Sequence, residues 1–157
     1  MNKKAVLEFL KDQLQTEFEK AKLAFETSRG HATSQELKSE GKYDTRSIEA
    51  GYLAGAQKVR VDELENDIKL LDEIDLSLPN DTVSVGSLVE IEHNNMTRTY
   101  FISSTSGGTM IKDGEKVILI ISAFSPIGAE VIGLSVGDSF EVEIQGNLRE
   151  YNLKSIE

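Results

Sequence analysis

Apolar residues in the first part of the chain recur at alternating steps of three and four. Between Ala5 and Ala32 they fall at Leu7, Leu10, Leu14, Phe18, Ala21 and Phe25, with Glu and Lys filling most positions between them. This is the seam of a coiled coil, and a helix carrying it would run roughly 40 Å at 1.5 Å per residue. So narrow a seam buries little surface alone, and a second run supplies a partner. From about Ile48 to Ile74, apolar residues recur at Leu53, Val61, Leu64, Ile68, Leu71 and Ile74, with Gln57 interrupting the row. Ala50, Gly51, Ala54, Gly55 and Ala56 near its start would let two backbones approach closely, although each glycine costs about 1 kcal/mol of helix stability. Two runs of similar length around a short polar break predict an antiparallel hairpin; an intermolecular coiled coil is the alternative.

The break, Glu36–Tyr52, reads ELKSEGKYDTRSIEAGY and forms the tip of the hairpin. Pro79 disfavours helix at Leu78, so the chain divides there into a hairpin (residues 1–78) and a second domain (residues 79–157). Beyond it the period shortens. Leu88–Glu92, Thr99–Ser103, Lys116–Ile121, Phe140–Ile144 and Tyr151–Ile156 read as strands, separated by turn residues such as Asn94-Asn95 and Asp113-Gly114. The wholly apolar run Val117–Ile121 is predicted as the central strand, covered on both faces. Ser125, Pro126 and Gly133 mark the N-cap, first turn and end of one short helix. The fold class is therefore α+β: a two-helix coiled-coil hairpin, then a small, mostly antiparallel sheet with one helix.

Charge and composition narrow the function. The 157 residues carry a formal net charge of −10, which argues against broad binding to nucleic-acid phosphates. No run of 18 apolar residues exists, so no membrane span is expected, and the charged N-terminal residues point to the cytoplasm. There is no cysteine, and the two histidines, His31 and His93, lie too far apart in sequence to suggest zinc. Gly107-Gly108 lacks a following Gly-Lys-Ser/Thr and reads as a turn. The acidic candidates are Glu36, Glu40, Asp44 and Glu49. On residue type alone they are solvated tip charges, with Asp44 a cap for the second helix. Tyr43 and Tyr52 are placed to pack across the hairpin end or to meet a partner. Lys38, Lys42, Arg46, Lys58 and Arg60 make this half of the hairpin locally basic, a solubilising face unless RNA passes near it.

The head carries a resemblance. Ile121–Ile132, ISAFSPIGAEVI, followed by Gly133 and Val136-Gly137-Asp138, is similar to the C-terminal signature of the bacterial transcript cleavage factors GreA and GreB. Val85–Ile91 resembles the first strand of their head domain, and the two-part layout matches over essentially the whole chain. The resemblance implies an FKBP-like head that docks on RNA polymerase through Phe124, Ser125, Pro126 and Ile127. It also implies a hairpin that enters the polymerase's secondary channel as a monomer. The tip carboxylates Glu40, Asp44 and Glu49 would act in the polymerase site, Glu40 and Asp44 helping to hold Mg²⁺ shared with the polymerase. Lys42 and Arg46 would guide the nascent RNA. The implied activity is stimulation of the polymerase's own cleavage of backtracked RNA, with no cofactor of the protein's own and no membrane partner.

The tip departs from the family's pattern of two acids separated by two positions: three residues after Asp44 stands Ser47, and the next acid is Glu49. This favours an alternative function, a non-cleaving regulator that occupies the channel and modulates or inhibits transcription. A peptidyl-prolyl isomerase and a coiled-coil adaptor are the remaining readings. The first is weak because fold likeness alone confers no activity.

Overall fold

The computed structural model describes the backbone of residues 1–38 and 45–157 and the side chains of residues 1–30 and 48–157. Three helices and six strands follow in the order α1 (Lys3–Lys38), α2 (Thr45–Asp72), β1 (Leu88–His93), β2 (Met96–Ser103), β3 (Met110–Asp113), β4 (Lys116–Ser122), α3 (Pro126–Val131), β5 (Ser139–Ile144) and β6 (Asn147–Ile156). They form two compact units, Asp12–Lys69 and Met1–Lys11 together with Leu70–Glu157.

The first unit is the helical hairpin. Leu14, Leu64 and Ala54 are buried in it, and Phe18, Ala21, Phe25 and Val61 are half-buried, so the three-four spacing does face the partner helix. Arg60 Nη2 donates to Glu17 Oε2 across the two helices at 3.2 Å. One predicted seam position is corrected: Leu53 is exposed, and its neighbour Ala54 is buried instead. Helical phase explains the difference, because Ala50, Ala54, Gln57, Val61 and Leu64 keep a strict four-three rhythm that Leu53 breaks. Gln57 therefore lies within the seam, and its Oε1 is buried without a hydrogen-bond partner.

The second unit is built on one six-stranded sheet in the order β3-β4-β2-β1-β6-β5. All neighbours are antiparallel except β2 and β4, which run parallel with Phe101 beside Ile120. Among the described residues three two-residue turns close hairpins: Asn94-Asn95 and Gln145-Gly146, each at positive φ throughout, and Gly114-Glu115, with Gly114 at positive φ. That backbone twist matches the twist of the strands it joins. β3 escapes the strand pattern because only Met110 and Ile111 in it are apolar. β4 nevertheless stands second from one edge, because β1, β6 and β5 extend the sheet beyond β2 on its other side. β1 and β2 are central, whereas Val117 of β4 is exposed and Leu119 and Ile121 are only half-buried.

Both faces of the sheet bury apolar side chains. On one, Val89, Ile91, Tyr100, Ile102, Phe140, Val142, Tyr151 and Leu153 pack with Val131 of α3 and with Val83. On the other, the register aligns Leu88 with Phe101 and Ile120, all buried. The same unit holds the start of α1, where Val6, Leu7 and Leu10 are buried. There the Met1 ammonium pairs with Asp113, Lys3 Nζ bonds Asn80 Oδ1 at 2.9 Å, and Lys11 pairs with Asp72 at 2.7 Å. The linker closes tightly after α2. Ser77 donates both its amide and its hydroxyl to Asp75 Oδ1, at 2.8 and 2.7 Å, and these bonds hold the Asp75 carboxyl below its usual range. Gly86 sits at φ +95 with the Ile74 side chain 2.8 Å from where a Cβ would stand, so only glycine fits.

Candidate functional site

The loop between β4 and α3 is held by its own serines. Ser122 Oγ accepts from the Phe124 amide at 3.1 Å, and the Ser125 hydroxyl donates to the Ser122 carbonyl at 2.7 Å. Ser125 Oγ also accepts from the Gly128 amide at 3.1 Å, the N-cap bond that starts α3, with Pro126 in the first turn. The Ala123 amide bonds the Ser103 carbonyl at 2.8 Å and ties the loop to β2. Close approach completes the turn: a Cβ on Gly128 would lie 2.0 Å from the Ser122 carbonyl oxygen.

This bonding decides which side chains are displayed. Ser125 and Ile127 turn inward and are half-buried; Pro126 is exposed, and Phe124 is 87% exposed. A large aromatic ring held in water by a rigid turn is a feature of interaction surfaces, where a partner's pocket receives a preorganised anchor. Of the four predicted docking residues, Phe124 and Pro126 present surface, and Ser125 and Ile127 hold the loop in shape.

The side chains of Glu36, Lys38, Glu40, Lys42, Tyr43, Asp44 and Arg46 of the predicted tip lie outside those described. Glu49, in the second turn of α2, is described and is exposed. Tyr52 is 78% exposed and does not pack across the hairpin, because the inward row runs through Ala50 and Ala54 and leaves it on the outer side. Lys58 pairs with Asp62 at 2.7 Å, and Arg60 pairs with Glu17 at 3.2 Å and Glu63 at 3.7 Å. These two cations are thus matched by neighbouring carboxylates, the arrangement of a solubilising face. Among the described residues, no group of three or more His, Asp and Glu is arranged to hold a metal ion. No helix among them is long and apolar enough to cross a membrane.

One feature of the sheet lay outside the sequence pattern. Tyr100 is buried, and burial pushes its phenol above the ordinary value of 10.0 while Arg98, hydrogen-bonded to it, pulls the other way. Nearby, His93 Nδ1 bonds the Glu150 carbonyl at 2.8 Å and its ring lies 4.7 Å from that of Tyr151. The strand period places Met96, Arg98 and Tyr100 on one face of β2, but period alone does not distinguish a lined cleft from a solvated strand end.

A helical hairpin followed by a six-stranded sheet unit that displays an exposed aromatic loop defines a two-part α+β protein. Residues 78–157 match the family model described as "Transcription elongation factor, GreA/GreB, C-term". The chain is 29% identical over 152 residues to transcription elongation factor GreA of Clostridium acetobutylicum, covering 96% of this chain and 87% of that one. It is 30% identical over 124 residues to GreA of Maricaulis maris, covering 77% and 73%. Thermus aquaticus Gfh1 aligns over 92% of both chains at 20% identity with a TM-score of 0.41. The chain belongs to the GreA/GreB family of transcription elongation factors.

Proposed function

We propose that the protein binds RNA polymerase at its secondary channel and promotes cleavage of backtracked RNA by the polymerase itself. The observation that carries this reading is the Phe124–Pro126 loop, an exposed apolar anchor in the region that matches the family. The hairpin then supplies the carboxylates. Glu40, Asp44 and Glu49 are the acids around its turn, and oxygen ligands of this kind suit Mg²⁺. Glu40 and Asp44 would hold a metal ion shared with the polymerase, which when bound supplies a Lewis acid for phosphodiester hydrolysis. The protein is then an accessory factor and not an enzyme, with Lys42 and Arg46 facing the RNA.

A second reading has one specific observation behind it, the spacing of the tip acids. With Ser47 where the family's second acid would stand, the protein would occupy the channel and modulate or inhibit transcription without cleavage. Stalled, backtracked elongation complexes mixed with the protein and Mg²⁺ separate the two. Release of 3′ RNA fragments that is lost in Glu40→Ala or Asp44→Ala supports cleavage. Competition against an active cleavage factor, without release, supports the regulator. Failure to bind polymerase at all contradicts both.

A further inference from the structure

α2 carries two apolar rows, and the hairpin uses only one. The inner row, Ala54, Val61 and Leu64, is the one that faces α1. On the outer side stand Ile48, Tyr52, Gly55 and Val59, at steps of four, three and four. At about 100° per residue they share a sector of about 60°, roughly opposite the inner row. The three large side chains of this outer row are 52%, 78% and 57% exposed. Its spacing is that of a second coiled-coil seam, and nothing among the described residues covers it. α1 has no counterpart among its described side chains, where the exposed large apolar residues are Phe9 and Leu23, far apart in sequence. Two glycines add to the row. Gly51 and Gly55 are exposed inside a helix of 28 residues, where glycine is a poor former, and a Cβ on either would meet nothing within 4 Å. The hairpin's own packing therefore has no use for their missing side chains. A helix laid along the outer face does, because Gly55 leaves a hollow between Tyr52 and Val59.

We infer that the outer face of α2 is a self-association surface, on which a second copy of this chain lays the same helix antiparallel. Self-complementarity identifies the occupant. With the two-fold axis midway between residues 53 and 54, Tyr52 seats on Gly55 of the second copy, and Ile48 meets its Val59. The symmetry repeats both contacts, so each large side chain of the row has a partner. Along the flanks, Glu49 falls beside Ala56 of the second copy and Lys58 beside its Gly51. Residues 48–59 therefore bring no like charges together. A parallel pair would instead stack Tyr52 on its own copy and set Gly55 against Gly55, leaving a gap. The contact is modest in size. Three helical turns on each copy bury roughly 800 Å² in total, less than the ~1,200 Å² of a stable interface. The pair is accordingly reversible, with a dissociation constant on the order of 100 µM. The inference concerns the chain by itself and does not depend on the polymerase reading.

The test is sedimentation equilibrium of the full-length protein from about 10 µM to about 1 mM. The expected result is a weight-average mass that rises reversibly from 17.3 kDa toward twice that value. Tyr52→Glu should weaken association at least about tenfold while leaving the helical circular dichroism unchanged, because its ring is exposed. Leu23→Glu, on the outside of α1, should leave association as it is. The chain has no cysteine, so single cysteines report orientation. Ile48→Cys protein mixed with Val59→Cys protein should oxidise to the mixed disulfide in preference to either homodimer. A mass that stays at 17.3 kDa throughout overturns the inference, as does undiminished association in Tyr52→Glu or a preference for the two homodimers. A monomeric chain whose Tyr52→Glu variant loses affinity for polymerase overturns it too, and gives the row to polymerase instead.

Discussion

Gly128 carries the tightest constraint in the β4–α3 loop. With the Ser122 carbonyl oxygen 2.0 Å from the position of a Cβ, Gly128→Ala forces the turn apart. Urea unfolding of this variant should show a loss of about 3 kcal/mol, the cost of overpacking a site with no room to relax. Ser125→Ala removes the N-cap acceptor and the bond to Ser122. The expected loss is about 1 kcal/mol by the same measurement. Phe124→Ala touches an exposed ring and should leave stability within about 0.5 kcal/mol, while weakening binding to purified polymerase. Tyr100 gives a pH signature. Its folded-state pKa is raised by burial, so the neutral phenol favours the fold. That contribution is whole below pH 10.0 and is lost as pH rises through the higher folded value. Ultraviolet titration of the folded protein should therefore show one tyrosine ionising above 10.0 that is absent from the titration of Tyr100→Phe.

The elements show which sequence signals survive folding. The Ser-Pro-…-Gly signature of α3 was legible because each residue does a local job: cap, fixed φ, and reversal at positive φ. The hairpin was legible through its period, yet Leu53 and Ala54 exchanged roles, since a seam chooses phase over hydrophobicity and accepts a smaller residue in the right place. β4 was misplaced because apolar character reports burial and not position. Edge strand β3 has too few apolar residues to register, and strand order depends on which strands pair, so the sheet's true centre was invisible from its most hydrophobic run. Gln57 was visible as an interruption, and its cost is now definite. The buried Oε1 has no partner, so Gln57→Leu should stabilise the hairpin by about 1 kcal/mol, read from urea unfolding followed by circular dichroism at 222 nm.

On the scale of the whole molecule, the sequence revealed the exposed Phe124 loop before the cleft. Phe124-Ser125-Pro126-Ile127 is contiguous, so its signature sits in one stretch of chain. The cleft gathers His93, Arg98, Tyr100 and Arg149 from three strands that only the sheet register brings side by side. Sequence spacing carries no trace of such a meeting. The predicted tip acids lie in one stretch of sequence too, and for that reason their altered spacing can be put to a direct trial. The deciding measurement is release of 3′ RNA fragments from backtracked elongation complexes in the presence of the protein and Mg²⁺. Fragment release with the wild-type chain, abolished by Asp44→Ala and reduced by Phe124→Ala through weaker polymerase binding, is the result expected. Tight polymerase binding with no fragment release at any protein concentration would contradict the cleavage account and leave channel occupancy in its place.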